Sequence, residues 1–257
     1  MLLTFDIGNS RTKIGLFSKE DLLGVISFDT TADSFTQSAN QALDLILNDH
    51  QKNRSDISGI AIASVVPKRT KQIETLTGKL FTKKALLITT AMDSPLHIHY
   101  ENPQKLGIDR FCNAVAAYHH FGGPVIVVDW GTATKFDIVD QKGNYLGGAI
   151  APGLESSAQS LSERTAQLPR VELAFPPSVI GSGTIECLQS GIMNGIVEMT
   201  KGMLTRFKKI TGKGTGIIAT GGYAPLLRSH IRTIHSTELH LVMEGVRLLY
   251  EANKNWK

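Results

Sequence analysis

Three short stretches carry side chains whose types and spacing suit phosphate chemistry. The first is Asp6-Ile7-Gly8, followed by Asn9, Ser10, Arg11, Thr12 and Lys13 and preceded by the apolar run LLTF. The second is Asp129-Trp130-Gly131, followed by Thr132 and Thr134 and preceded by PVIVV. The third is Asp109-Arg110, inside LGIDR. A glycine after a strand lets the backbone turn tightly or approach a ligand closely. The N–H groups of such a turn form an anion-binding concavity, to which Asn, Ser and Thr side chains add donors. A carboxylate in the same place repels phosphate unless a cation lies between them. Asp6 and Asp129 therefore read as cation holders, of the kind that keep Mg²⁺ through water while the metal binds phosphate oxygens. At a helix start, an aspartate beside an arginine has a dipole-favoured carboxylate and a planar donor close by for an anionic substrate.

One Asp-x-Gly is a common way to end a strand and by itself signals little. Two of them, each opening an equivalent half of the chain, signal more. Superposing Asp6 on Asp129 also places Gly8 on Gly131, Leu16 on Val139, Leu23 on Leu146 and Gly24 on Gly147. The first half reads as the strands LLTFDIG, TKIGLFS and LLGVISFDT. A helix capped by Asp33 or Ser34 then buries Phe35, Ala39, Ala42, Leu43, Ile46 and Leu47. The strand GIAIASVV follows, then a helix with Pro67 in its first turn and a strand KALLIT. A loop with Pro95 and Pro103 leads to the helix GIDRFCNAVAAYHHF, which stops at Gly122-Gly123. The second half repeats this plan with VIVVDWG, TKFDIVD and YLGGAIAP. It continues with helices at 154–166 and 184–211 and the strand GIIATGG, and STELHLVMEGVRLLYEAN closes the chain as a helix. Strands alternating with helices predict an α/β fold with mixed sheets covered on both faces. The expected domains are 1–121 and 122–257, with a ligand cleft between them.

Bulk properties exclude several classes. The 257 residues are 42% hydrophobic and 19% charged, as in an ordinary globular protein. No apolar run reaches the roughly 18 residues of a membrane span, and no signal-type leader is visible. Two cysteines, Cys112 and Cys187, make no disulfide framework and read as buried thiols of a cytoplasmic protein. The net charge of +4 suits anionic ligands. The basic residues are scattered, however, and the densest cluster (Arg206, Lys208, Lys209, Lys213) ends a helix where cations favour the dipole. Nucleic acid is therefore not an expected partner. There is no GxxxxGK[ST] and no GxGxxG after a strand. His97 and His99 lack acidic or cysteine partners for a metal, and His119 and His120 read as helix-end caps. Ser156, Ser157, Ser160 and Ser162 have no nucleophile-elbow context.

Taken in order, DIGNSRTKIGLF, NPQKLGIDRF, VDWGTATKFD, GGAIAPGL, TAQLP and IGSGT resemble the motifs of type III pantothenate kinases. These kinases belong to the superfamily of acetate and sugar kinases, heat-shock chaperones and actin. The resemblance runs from Asp6 to the C-terminus. It implies two duplicated ribonuclease-H-like domains, the actin-like ATPase fold, with the nucleotide cleft between them. The implied reaction is ATP-dependent phosphorylation of pantothenate to 4'-phosphopantothenate, the first step of coenzyme A biosynthesis. Residue by residue, it makes Asp109 the proton acceptor, and gives pantothenate binding to Tyr100, Gly107, Ile108, Asp109, Arg110 and Thr184. Asp6, Ile7, Gly8, Asn9, Ser10, Arg11, Thr12 and Lys13 become the first phosphate loop, with Thr132 as a further ATP contact. Mg²⁺ accompanies ATP, Asp129 holds a monovalent cation (K⁺ or NH₄⁺), and the protein is a cytoplasmic homodimer. From the residues alone, Thr184 is also a candidate helix N-cap, and Tyr100 a packing residue with a wet hydroxyl.

Two positions depart from the family pattern. Ser10 replaces the usual Thr and keeps the hydroxyl. Lys135 follows Thr134 where the family commonly has GTATT, and a lysine there can reach phosphate or point to solvent. The main rival reading is a non-catalytic nucleotide-binding regulator, an accessory factor for transcription. A second is another phosphotransferase or phosphohydrolase on the same fold, such as a sugar kinase, although 257 residues leave little room for the insertions that larger sugar kinases use. The intact Asp109-Arg110 pair speaks against the regulator. Fold alone does not separate these readings; the site does.

Overall fold

A computed structural model of the chain describes residues 1–165 and 167–255. Two compact units divide it: Met1–His119 together with the chain from His240 onward, and His120–Leu239.

The first unit is built on β1 (Leu2–Ile7), β2 (Arg11–Ser18), β3 (Asp21–Asp29), α1 (Phe35–Asp49), β4 (Gly59–Ser64), α2 (Pro67–Leu80) and β5 (Leu86–Leu87). Its sheet runs β3-β2-β1-β4-β5, with β1 antiparallel to β2 and parallel to β4. Period-two alternation splits β1 between two layers. Leu3, Phe5 and Ile7 join the α1 stripe, in which Phe35, Ala39, Ala42, Leu43, Ile46 and Leu47 are all buried as their spacing predicts. Thr4 points the other way, its hydroxyl donating to Met243 Sδ at 3.3 Å. Asp6 shares that second face by alternation. After β6 (His97–Ile98), α3 (Ile108–Phe121) begins at the LGIDR motif.

The second unit repeats the plan with β7 (Val125–Trp130), β8 (Ala133–Val139), β9 (Asn144–Pro152), α4 (Leu154–Arg164), α5 (Thr184–Thr211), β10 (Gly216–Thr220), α6 (Ala224–Arg228) and β11 (Ser236–Thr237). Five strands of its six-stranded sheet run β11-β10-β7-β8-β9, the order of β5-β4-β1-β2-β3 in the first. Even the irregularities correspond: the ladder slips between Leu16 and Phe17 in the first unit and between Ile138 and Val139 in the second. Ile126, Val128 and Trp130 face α4 and α5, so Asp129 lies on the opposite face, as Asp6 does in its own unit.

Four expectations are revised. The last helix, α7 (Leu241–Asn253), packs on β1 and β4 and so belongs to the first unit, although sequence order groups it with 122–257. Its apolar face covers the side of the sheet that α1 and α2 leave bare. Ser236 and Thr237 form β11 rather than the start of that helix. The strand expected at KALLIT shortens to Leu86–Leu87, an edge with a partner on one side only. Cys112 is buried, but Cys187 is exposed on α5. Ala166, where the sequence pattern ends α4, lies outside the described residues. Among the described residues no helix is long and apolar enough to cross a membrane, and no group of three His, Cys, Asp or Glu side chains could hold a metal ion.

Candidate active site

The β1–β2 turn forms the first candidate surface. Gly8 N–H donates to the Arg11 carbonyl at 3.0 Å, and a Cβ built on Gly8 would stand 3.1 Å from that oxygen. The glycine therefore permits the tight closure. Asn9 and Arg11 are exposed, and Ser10 and Lys13 are half-exposed. The Arg11 guanidinium is tied back to Ser27, Nε to Oγ and Nη2 to the carbonyl, both at 3.1 Å. Ile7 is fully buried in the core and can offer a ligand only its backbone. Thr12 is also fully buried, its hydroxyl bonded to that of Thr30 at 2.8 Å. Asp6 sits opposite Lys13 in the ladder.

The second surface is the start of α3. Phe111 N–H donates to the Gly107 carbonyl at 3.1 Å, so Gly107 stands at the cap and Asp109 in the first turn. The positive end of the helix dipole favours a carboxylate there. A Cβ on Gly107 would lie 2.7 Å from Asp109 Oδ1, so glycine lets this carboxylate fold back over the cap. Ile108 and Arg110 are buried, Arg110 to 5% exposure. Tyr100 is half-buried in the loop leading to the helix. One turn into α3, burial pushes the Cys112 thiol well above its ordinary range, and the negative charges of Asp6 and Asp109 push it further.

The third surface is the β7–β8 turn. Asp129 faces Lys135 across the ladder, and Lys135 Nζ lies 2.9 Å from Asp129 Oδ2. Lys135 thus meets a carboxylate, an outcome that neither sequence reading of this position foresees. Thr132 is exposed at the tip. Thr134 is turned inward, fully buried, with its hydroxyl donating to the Pro152 carbonyl at 3.3 Å. Thr184 is the first residue of α5; Gly183, not Thr184, holds the cap position. It lies in the second unit with Asp129 and Thr132.

Sequence reasoning missed three supports of this turn. Ser156 Oγ donates to the Thr132 carbonyl at 2.9 Å. A Cβ on Gly153 would meet the carbonyls of Thr132 and Gly131 within 2.5 Å. Gly221 takes φ +92, and a Cβ there would lie 2.6 Å from Asp129 Oδ1. The glycine pair closing GIIATGG was the available signal, because β10 ends directly beside β7.

The architecture has clear likenesses among solved structures. A Campylobacter jejuni protein described as a putative Baf family transcriptional activator aligns with a TM-score of 0.61 at 22% identity, over 98% of this chain and 99% of its own. A ROK hexokinase from Thermus thermophilus aligns with a TM-score of 0.50 at 14% identity, over 100% and 99%. At such identities these likenesses define the class: an α/β protein of two ribonuclease-H-like domains with the actin-like ATPase fold. Sequence is more specific. The family model of type III pantothenate kinase matches residues 2–206. A protein of Brevibacillus brevis named type III pantothenate kinase is 39% identical over 99% of this chain and 100% of its own length. The chain belongs to the type III pantothenate kinase family, and it is a phosphotransferase.

Proposed function

We propose that Asp109 is the proton acceptor in the pantothenate kinase reaction this chain carries out, the ATP-dependent first step of coenzyme A biosynthesis. The observation that carries the assignment is the Asp109 carboxylate at the N-terminus of α3, folded over Gly107 and next to Arg110. Phosphoryl transfer to an alcohol needs a held γ-phosphate, charge neutralisation, a positioned hydroxyl and a proton acceptor. The β1–β2 turn serves the first need with the backbone of Ile7, Gly8 and Thr12 and the side chains of Asn9, Ser10, Arg11 and Lys13. Thr132 is a further ATP contact. Asp6 has the hard oxygen donors that suit Mg²⁺ arriving with ATP; bound there, the metal neutralises phosphate charge. Arg110 presents a planar donor fork to the substrate carboxylate, and Tyr100, Gly107, Ile108 and Thr184 complete the pantothenate contacts. The carboxylate of Asp109 takes the proton of the attacking hydroxyl.

The protein acts as a cytoplasmic homodimer. An open apolar groove of about 460 Å³ between α4 and α5 supports self-association. Leu154, Leu161, Leu188 and Met199 line it, and Gly191 and Gly195 leave room on one face of α5. The regulator reading gains nothing from the likeness to a transcriptional activator, which extends to the fold alone.

The deciding measurement is ADP release from ATP and Mg²⁺ with and without pantothenate, in wild type and Asp109→Asn. Losing a general base lowers kcat by roughly 10²–10⁴-fold, and ATP binding should persist in the variant. Pantothenate-independent ADP release would remove the kinase reading, and an undiminished variant would remove Asp109 from its role.

A further inference from the structure

A monovalent cation at Asp129 is what the resemblance implies, and the residues present do not fit one. Asp129 and Lys135 are direct partners in the β7–β8 ladder, where opposite charges attract across an antiparallel pair. The ammonium lies 2.9 Å from Oδ2, with the lysine and aspartate side chains only 17% and 13% exposed. The other oxygen, Oδ1, is bounded by backbone, at 2.6 Å from a Cβ position on Gly221 and 3.5 Å from one on Gly131. On the same face of β8, two residues along, Asp137 is fully buried and accepts the Tyr145 hydroxyl at 2.6 Å. A free ion binding Asp129 has to displace Lys135 from Oδ2 and leave that ammonium beside it as a like charge.

We infer that Lys135 is the resident cation of Asp129. Its ammonium supplies the charge that free K⁺ or NH₄⁺ would bring, so catalysis by this chain needs no added monovalent ion. The chemistry is closely matched. A lysine head group is a compact point charge with three N–H donors, an ammonium ion with one hydrogen replaced by a tether. Tethering makes the association intramolecular, so the site is filled whatever the salt. Lys135 thereby acts as a positioning residue that neutralises the second turn. The inference rests on the pantothenate kinase reading for its activity readout alone.

The test uses the intact chain, wild type and Lys135→Thr, at fixed ionic strength in KCl, NH₄Cl or tetramethylammonium chloride. Turnover with pantothenate and, separately, thermal melting without substrates are followed. Wild type should differ by less than about twofold between the salts, with an unchanged melting temperature, because a site already filled offers K⁺ no linkage. Lys135→Thr leaves a mostly buried carboxylate uncompensated. It should lose at least about tenfold in tetramethylammonium, recover in K⁺ or NH₄⁺, and melt higher in those salts. A wild type that loses tenfold without K⁺ overturns the inference. So does a variant whose turnover and melting both ignore K⁺. If Lys135→Thr does not fold, the wild-type salt series decides alone. If pantothenate drives no turnover in any salt, the kinase reading fails while the melting series still judges Lys135.

Discussion

Asp109 depends on a residue with no side chain. A methyl group at Gly107 would sit 2.7 Å from Asp109 Oδ1, within the distance that forces the carboxylate to move. Displacing a reacting group by about 1 Å costs on the order of 10²-fold. Gly107→Ala is therefore expected to lower kcat by about that factor while the melting temperature stays near wild type; steady-state kinetics beside a thermal melt check this. Thr12 makes the opposite case. It lies inside the proposed phosphate loop, yet its buried hydroxyl bonds Thr30. Thr12→Val should cost about 1–3 kcal/mol of stability, because it leaves the Thr30 hydroxyl unsatisfied in the interior. It should leave the ATP dissociation constant unchanged, since the Thr12 hydroxyl is turned into the interior. A denaturation curve and an ATP titration on one preparation separate the two effects.

Helices α3 and α7 touch backbone to backbone. A Cβ on Gly245 of α7 would lie 2.0 Å from the Cys112 carbonyl oxygen, a contact no rotamer change relieves. Gly245→Ala is expected to destabilise the first unit by about 1–3 kcal/mol, as overpacking does, and to shift α3 beneath Asp109. Loss of activity should accompany the drop in denaturation midpoint. The start of α7 carries a pH response as well. Burial first, and then the nearby Lys13 ammonium, hold His240 below its ordinary 6.5. A depressed imidazole folds best uncharged. Its contribution is complete above the unfolded value and is lost as pH falls through the folded one. The stability of wild type should therefore decline as pH falls below about 6.5, and His240→Gln should flatten that part of the curve measured by denaturant midpoints.

The whole molecule is a doubled plan whose copies have diverged in what covers them. The two sheets share strand order, a central parallel pair and a slip in the second strand. Only the first unit recruits the C-terminal helix, through Thr4, Gly59 and Tyr250 as well as Gly245. Removing residues from Leu241 onward should leave the first sheet with one bare face and abolish cooperative folding of that unit, seen as a lost transition in denaturation. Dimerisation belongs to the same scale. A Cβ at Gly195 meets nothing within 4 Å, so Gly195→Leu fits the monomer. If a second copy packs in the α4–α5 groove, this variant sediments as a monomer with an unchanged circular dichroism spectrum.

Much of this was legible in one dimension. Alternation and 3.6-residue spacing marked the elements, because burial on one face imposes its period on the sequence. The span of α5, the buried stripe of α1 and the duplication were all readable this way. Asp6, Asp109 and Asp129 stood out as candidates too, because each lies at the end of a strand or the start of a helix with a glycine two positions away. What the sequence could not contain was the partner of each group. Lys135 and Asp129 are joined by ladder register, and the Thr12 hydroxyl is turned inward to Thr30. The long-range return of α7 to β1 likewise reverses the order in which the halves are written. Local propensity acts over a turn or a strand, whereas pairing register and helix docking are settled by which faces are left to bury once every element has formed. The sequence by itself determined most of the elements, their repetition and the candidate reactive groups; the tertiary structure decided which charge answers which.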